Sequence, residues 1–158
     1  MAVQKSCVLQ PGEGKSYWQP VPANGFVEVK ISADANSAYD CGIQSVAVGG
    51  RVREHAHDSQ QELIMVYQGS GTAVVDGCEH PMQPGTLLQL APLSRHQFIN
   101  TGAEELRFYW LLMPGGLADF FAAIGRERQP GEPAPTPFPR PDDVAAIEAS
   151  TVFARLED

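Results

Sequence analysis

Between Gly25 and Met113 the sequence breaks into short β-compatible runs closed by Gly, Pro, Asp or Asn. That rhythm restricts the chain to an all-β sandwich or barrel. The runs are FVEVKIS from Phe26, CGIQSVAV from Cys41 to Val48, ELIMVYQ from Glu62, TAVV from Thr72, TLLQL from Thr86, Gln97 to Asn100, and Leu106 to Met113. In the first, Val27, Val29 and Ile31 alternate with Phe26, Glu28 and Lys30, which predicts one apolar face and one mostly charged face. Asp76-Gly77 is a hairpin signal, His80 reads as exposed and non-functional in the turn segment Gly77 to Pro81, and Pro81 to Gly85 reads as a further turn. A short strand is expected at Ser6 to Gln10, then an irregular lead-in through Trp18, Pro20 and Pro22, and a loop from Ala33 to Tyr39.

The pattern changes after Pro114-Gly115-Gly116. Leu117, Phe120, Phe121 and Ile124 form one stripe of a helix, expected to pack on the outside of the β-domain and to end at Gly125. Residues 129–141 are Pro-rich and predict an extended spacer. A last helix is expected from Asp142 or Asp143, with Val144, Ile147, Val152, Phe153 and Leu156 as a loose stripe. It reads as an arm that packs on its own domain or on a second subunit. The organisation expected is therefore a lead-in over 1–24, a β-barrel over 25–113 and a helical extension over 114–158.

Bulk properties narrow the partners. A chain of 158 residues with 43% hydrophobic content holds a single core. Eleven basic against 19 acidic side chains leave a net charge of −8, a field that repels phosphate backbones and disfavours nucleic acid. The longest apolar run, FYWLLM from Phe108, is far short of the roughly 20 residues of a spanning helix, so no membrane segment is expected. The N-terminal stretch has no apolar signal core. Cys7, Cys41 and Cys78 lack CxxC spacing and read as buried or partly buried free thiols, which fits a cytoplasmic protein.

The chemistry concentrates between Gly49 and Gly69, in GGRVREHAHDSQQELIMVYQG. On an extended strand His55 and His57 face the same way, with their imidazoles about 6–7 Å apart along one face. Glu62 opens the next strand after the turn-like Asp58–Gln61, where a hairpin folds its carboxylate back over the histidines. Nitrogen and carboxylate donors together suit Fe, Mn, Co, Ni, Cu or Zn better than Ca or Mg. Surface polar residues on a strand are the competing reading.

A second stretch, Pro84 to Asn100, adds His96, with Gly85 eleven residues before it and Asn100 four after. The two stretches resemble the paired motifs of the cupin superfamily. Gly49, His55, His57, Glu62 and Gly69 meet every position of the first motif, G-x5-H-x-H-x(3,4)-E-x6-G. Gly85, His96 and Asn100 fit the second, G-x5-P-x-G-x2-H-x3-N, while Ala91 and Leu93 occupy its proline and inner-glycine positions. The tail is similar to those of single-domain cupins of the quercetin 2,3-dioxygenase kind. The resemblance implies a double-stranded β-helix (a cupin jelly-roll barrel) with a C-terminal helical extension. It implies that His55, His57, Glu62 and His96 bind one divalent transition metal, iron first, with Mn, Ni, Co, Cu or Zn as alternatives.

By parity with Glu62, Ile64 and Val66 should face inward; Phe98 should line the pocket with His96, and Tyr109 or Trp110 is a further candidate for the barrel lining, with plain core as the competing reading. Tyr67 and Arg95 are candidates for an acid or an anion anchor. The function expected is a metal-dependent dioxygenase on a small aromatic or enolisable oxygenated molecule, with Glu62 as catalytic base. The alternatives are a non-redox isomerase, lyase or decarboxylase, and a non-catalytic binding cupin. Small jelly rolls hide sheet edges by pairing, so a homodimer is expected.

Overall fold

The computed structural model describes residues 6–33 and 37–156. The expected loop at Ala33–Tyr39 and the two terminal segments therefore fall partly outside the described residues. Two antiparallel sheets face each other. The larger runs β11-β1-β2-β3-β10-β5-β8 and the smaller β4-β9-β6-β7, with β1 Lys15–Trp18, β2 Phe26–Ile31, β3 Asp40–Val46, β4 Arg51–His55, β5 Gln61–Gln68, β6 Gly71–Val75, β7 Cys78–Met82, β8 Leu87–Leu90, β9 His96–Ile99, β10 Leu106–Met113 and β11 Arg126–Glu127. This is the all-β double-stranded β-helix expected from the spacing of the strands.

Alternation makes the barrel interior. In β5, Glu62, Ile64 and Val66 are buried while Leu63 and Met65 are exposed. In β10, Leu106, Phe108, Trp110 and Leu112 go inward. Facing residues of the two sheets thus fill one core with period two. Tyr109, by the same parity, stands 49% exposed on the outer face, where it packs beside Tyr67 with ring centroids 4.8 Å apart. Tyr67 and Tyr109 therefore lie outside the barrel interior, and Trp110 is core, packed against Phe121.

Several local expectations are corrected. Residues 6–10 form no strand; the first strand is β1, in the segment expected to be irregular. β2 is buried on both faces, because Trp18, Phe138 and the Arg128 guanidinium cover Phe26 from outside. The Pro-rich segment brings Phe138 there, and Val21 donates to the Phe138 carbonyl at 2.9 Å. β7 runs through Pro81, so His80 is exposed on an edge strand rather than in a turn. Pro81 is tolerated because an edge strand leaves one row of N–H groups without a ladder partner. Cys7 and Cys78 are exposed, and only Cys41 is partly buried. The Asp76-Gly77 hairpin joins β6 to β7 with φ of 48° and 81°, the left-handed pair that a two-residue turn needs.

The chain after β10 closes one end of the barrel. Helix α1, Leu117–Ile124, has no cap from its own loop; instead Asp40 on β3 accepts from the N–H groups of Gly116 and Ala118, both at 2.8 Å. Its apolar stripe points into the barrel, not onto its outside. Helix α2 is shorter than expected, Val144–Ala149. Val152 and Phe153 lie beyond it in an extended arm: Asp58 N–H donates to Val152 O at 3.0 Å and Ala154 N–H to Ala56 O at 2.9 Å, around a bridge between His57 and Phe153. Among the described residues, no helix is long and apolar enough to cross a membrane.

Candidate metal centre

Four side chains meet inside the barrel. His55 ends β4, His57 follows it on the segment paired with the arm, Glu62 lies on β5 and His96 opens β9. One donor atom from each lies within 4.8 Å of all the others. The pairing of β4 with β9 explains how His55 gets there. Val52 opposes Phe98 and His55 opposes His96, so β4 spends three residues where β9 spends two. This bulge lets both Val52 and His55 face inward. Sheet parity alone would have turned one of them out.

Hydrogen bonds orient the rings. His55 Nδ1 donates to Arg53 O and His96 Nδ1 to Ser94 O, both at 2.8 Å, which leaves each Nε2 as a bare acceptor. His57 Nε2 lies 3.2 Å from Glu62 Oε2. Leu93 N–H donates to His57 O at 2.8 Å and so fixes the backbone of that ligand. Leu93 stands where the second motif has its inner glycine, and its φ is 66°. The turn thus keeps the glycine conformation with a leucine in it.

These donors fit a metal ion. His96 Nε2 is buried 3.2 Å from Glu62 Oε2 and has no hydrogen-bond partner. Two acceptors at that distance repel unless a cation lies between them. Two ligands each about 2.1 Å from one ion, at right angles, stand about 3 Å apart, close to the spacing seen. Burial, followed by the neighbouring His96 and His57, pushes the His55 pKa down to about 3, so the ring is neutral and ready to ligate. Burial alone would raise the Glu62 carboxyl; His57 and His96 outweigh it and hold the group below the usual carboxylate range.

The cluster opens into a pocket that holds His55, Glu62, Phe98, Phe120, Phe121 and Phe153 in its wall. Phe98 was legible from parity with His96; the other aromatics come from α1 and the arm. The Phe153 ring is 5.4 Å from both His55 and His57 and 4.5 Å from Phe120. Gln44, Arg53 and Arg140 also line the pocket and were not picked out from the sequence. For Arg53 the signal was there, since it shares parity with His55. Arg95 lies outside, paired with Glu54 at 2.8 Å. Asn100 holds the turn after β9, accepting from Gly102 N–H and donating to the carbonyls of Val46 and Glu104.

Residues 42–112 match the family model described as Cupin domain. The barrel is a cupin fold. Among curated proteins the chain is 34% identical to Protein SchB of Streptomyces halstedii over 52% of its own length and 59% of that protein. It is 30% identical to Polyketide synthase CurC of Streptomyces cyaneus, over 53% of its length and 54% of that protein. The chain thus spans little more than half of each of these relatives. Among solved structures, a sugar phosphate isomerase of the cupin superfamily from Silicibacter pomeroyi superposes with a TM-score of 0.60 at 22% identity, over 68% of this chain and 75% of that one. The cupin likeness thus rests on the barrel, and the cluster of three histidines and one glutamate is a site able to hold a metal ion.

Proposed function

We propose that the protein is a metal-dependent dioxygenase acting on a small aromatic, oxygenated molecule. The observation that carries this reading is that the His55, His57, Glu62 and His96 cluster opens, through His55 and Glu62, into a largely apolar pocket whose wall includes four phenylalanines. Four protein donors leave coordination positions of a five- or six-coordinate ion open. When bound, a redox-active ion supplies the site where a substrate oxygen and dioxygen meet. Everything else is done by the chain. The His55 and His96 rings are oriented by the Arg53 and Ser94 carbonyls, and the backbone of His57 by the arm. Phe98, Phe120, Phe121 and Phe153 bind a flat ring and exclude water from it. Glu62, kept ionised by its histidine neighbours, accepts the proton from a substrate hydroxyl or enolisable carbon.

Elemental analysis of protein purified without chelator, with His57→Ala alongside, tests the metal; an oxygen electrode with catechol-like and flavonol-like compounds tests the reaction. One redox-active ion per chain, lost in the variant, with oxygen consumed in proportion to substrate, is expected. Turnover with no oxygen uptake under any bound metal would move the protein to non-redox chemistry.

A further inference from the structure

We infer that the pocket recognises an aromatic acid, its carboxylate held by Arg53 and Arg140 and a second oxygen function held inside by the Gln44 amide. This rests on the metalloenzyme reading above and names the substrate class for it. Arg53 projects from β4, two residues before the ligand His55, and Arg140 comes from the end of the Pro-rich segment. Both guanidiniums reach the same oxygen, Oε1 of Glu148 on α2. One carboxylate cannot neutralise two guanidiniums, so the pair keeps an excess positive charge, and Arg51 on the same wall adds to it. Among the described residues, Glu62, in the metal cluster, is the only acidic residue in that wall. In a chain of net charge −8 this positive cluster runs against the overall field. Each guanidinium has five donors in a fixed fork suited to a carboxylate. A shared single oxygen leaves most of them uncommitted.

Gln44 supplies the second anchor. It lies on β3 between Val27 and Phe108, both fully buried, so its side chain points into the barrel. It is only 7% exposed, it lines the same pocket as His55 and Glu62, and its amide makes no hydrogen bond among the described residues. A buried amide is normally satisfied. Here both its donor and its acceptor face the space where a substrate oxygen would lie, with the four phenylalanines providing the ring's walls. A neutral phenol would use the rings and Gln44 and leave the arginines without a partner; an acid uses all of them.

The test is anaerobic calorimetry of the metal-loaded protein with 6-hydroxy-2-naphthoate and with 2-naphthol, which share the ring and hydroxyl and differ in the carboxylate. The acid should bind about tenfold tighter, with an advantage that shrinks in high salt. Arg140→Met should abolish the advantage, and Gln44→Leu should weaken both compounds alike. Glu148→Gln decides between an anion site and a mere clasp for α2. Removing the competing carboxylate should preserve or increase the preference for the acid, whereas a clasp would lose both ligands as in Arg140→Met. Equal affinities in the wild type, or an acid preference surviving Arg53→Met/Arg140→Met, would overturn the inference. Oxygen uptake with neutral phenols alone would overturn it while leaving the proposed reaction standing; a wild type that binds no metal would fail the reaction first.

Discussion

His55 gives the metal-free protein a defined pH sensitivity. Its pKa falls from the ordinary 6.5 to about 3 in the fold, first through burial and then through His96 and His57. Between those values the unfolded chain binds a proton that the folded chain refuses. Stability from this group is therefore complete above pH 6.5 and is lost as pH falls towards 3. Linkage with these two values gives a loss of about 2.6 kcal/mol between pH 7.5 and 4.5. His55 borders the pocket and is only partly shielded, so roughly half of that is the figure expected after solvent screening. Urea unfolding of chelator-treated protein at the two pH values measures it, with His55→Gln as the reference. The substitution spares the contacts that Glu62 makes with His57 and His96, so the difference in pH dependence between the two proteins isolates the ring. A variant that loses as much stability as the wild type would refute the account. Adding the metal should flatten the wild-type curve at neutral pH and steepen it in acid, where protons compete for the same nitrogens.

Three further outcomes follow from contacts away from the ligands. Asp40→Ala removes the cap of α1 and should cost about 1–2 kcal/mol in denaturant unfolding, with the pocket more exposed to a hydrophobic dye. Leu93→Gly relieves a left-handed leucine and should stabilise the protein by up to about 1 kcal/mol, read as a rise in melting temperature. Phe153→Ala takes away the ring against His55 and His57; metal affinity, titrated against a competing chelator, should fall roughly tenfold while the circular dichroism of the barrel is unchanged.

Much of the site was legible because its information is local. The His-x-His spacing, Glu62 and His96 sit at motif distances, and parity from Glu62 and His96 places Ile64, Val66 and Phe98 inside. What escaped the sequence depends on contacts distant along the chain. The stripe of α1 looks the same whether it covers a barrel wall or its mouth, and only the Asp40 cap fixes which. Val152 and Phe153 continue a helical spacing, yet pairing with Ala56 and Asp58 draws them into extended backbone. β2 looks one-sided until Trp18 and Phe138, far apart in sequence, cover its other face. Gln44 gave no signal at all, since an amide on a β-strand is ordinary until its surroundings are known.

The pairing of residues 56–58 with 152–154 sets an order of assembly. About a hundred residues must be made, and the barrel closed, before the arm can reach the segment that carries His57, and such long-range contacts form late. Until then a metal ion would have an open route to the four donors, and the pocket beside them has one wall missing. Docking of the arm afterwards turns an accessible metal site into an enclosed one. A chain clipped near Ser150 would stay at the earlier stage, able to load and to lose its ion, with no wall to hold an aromatic ring against it.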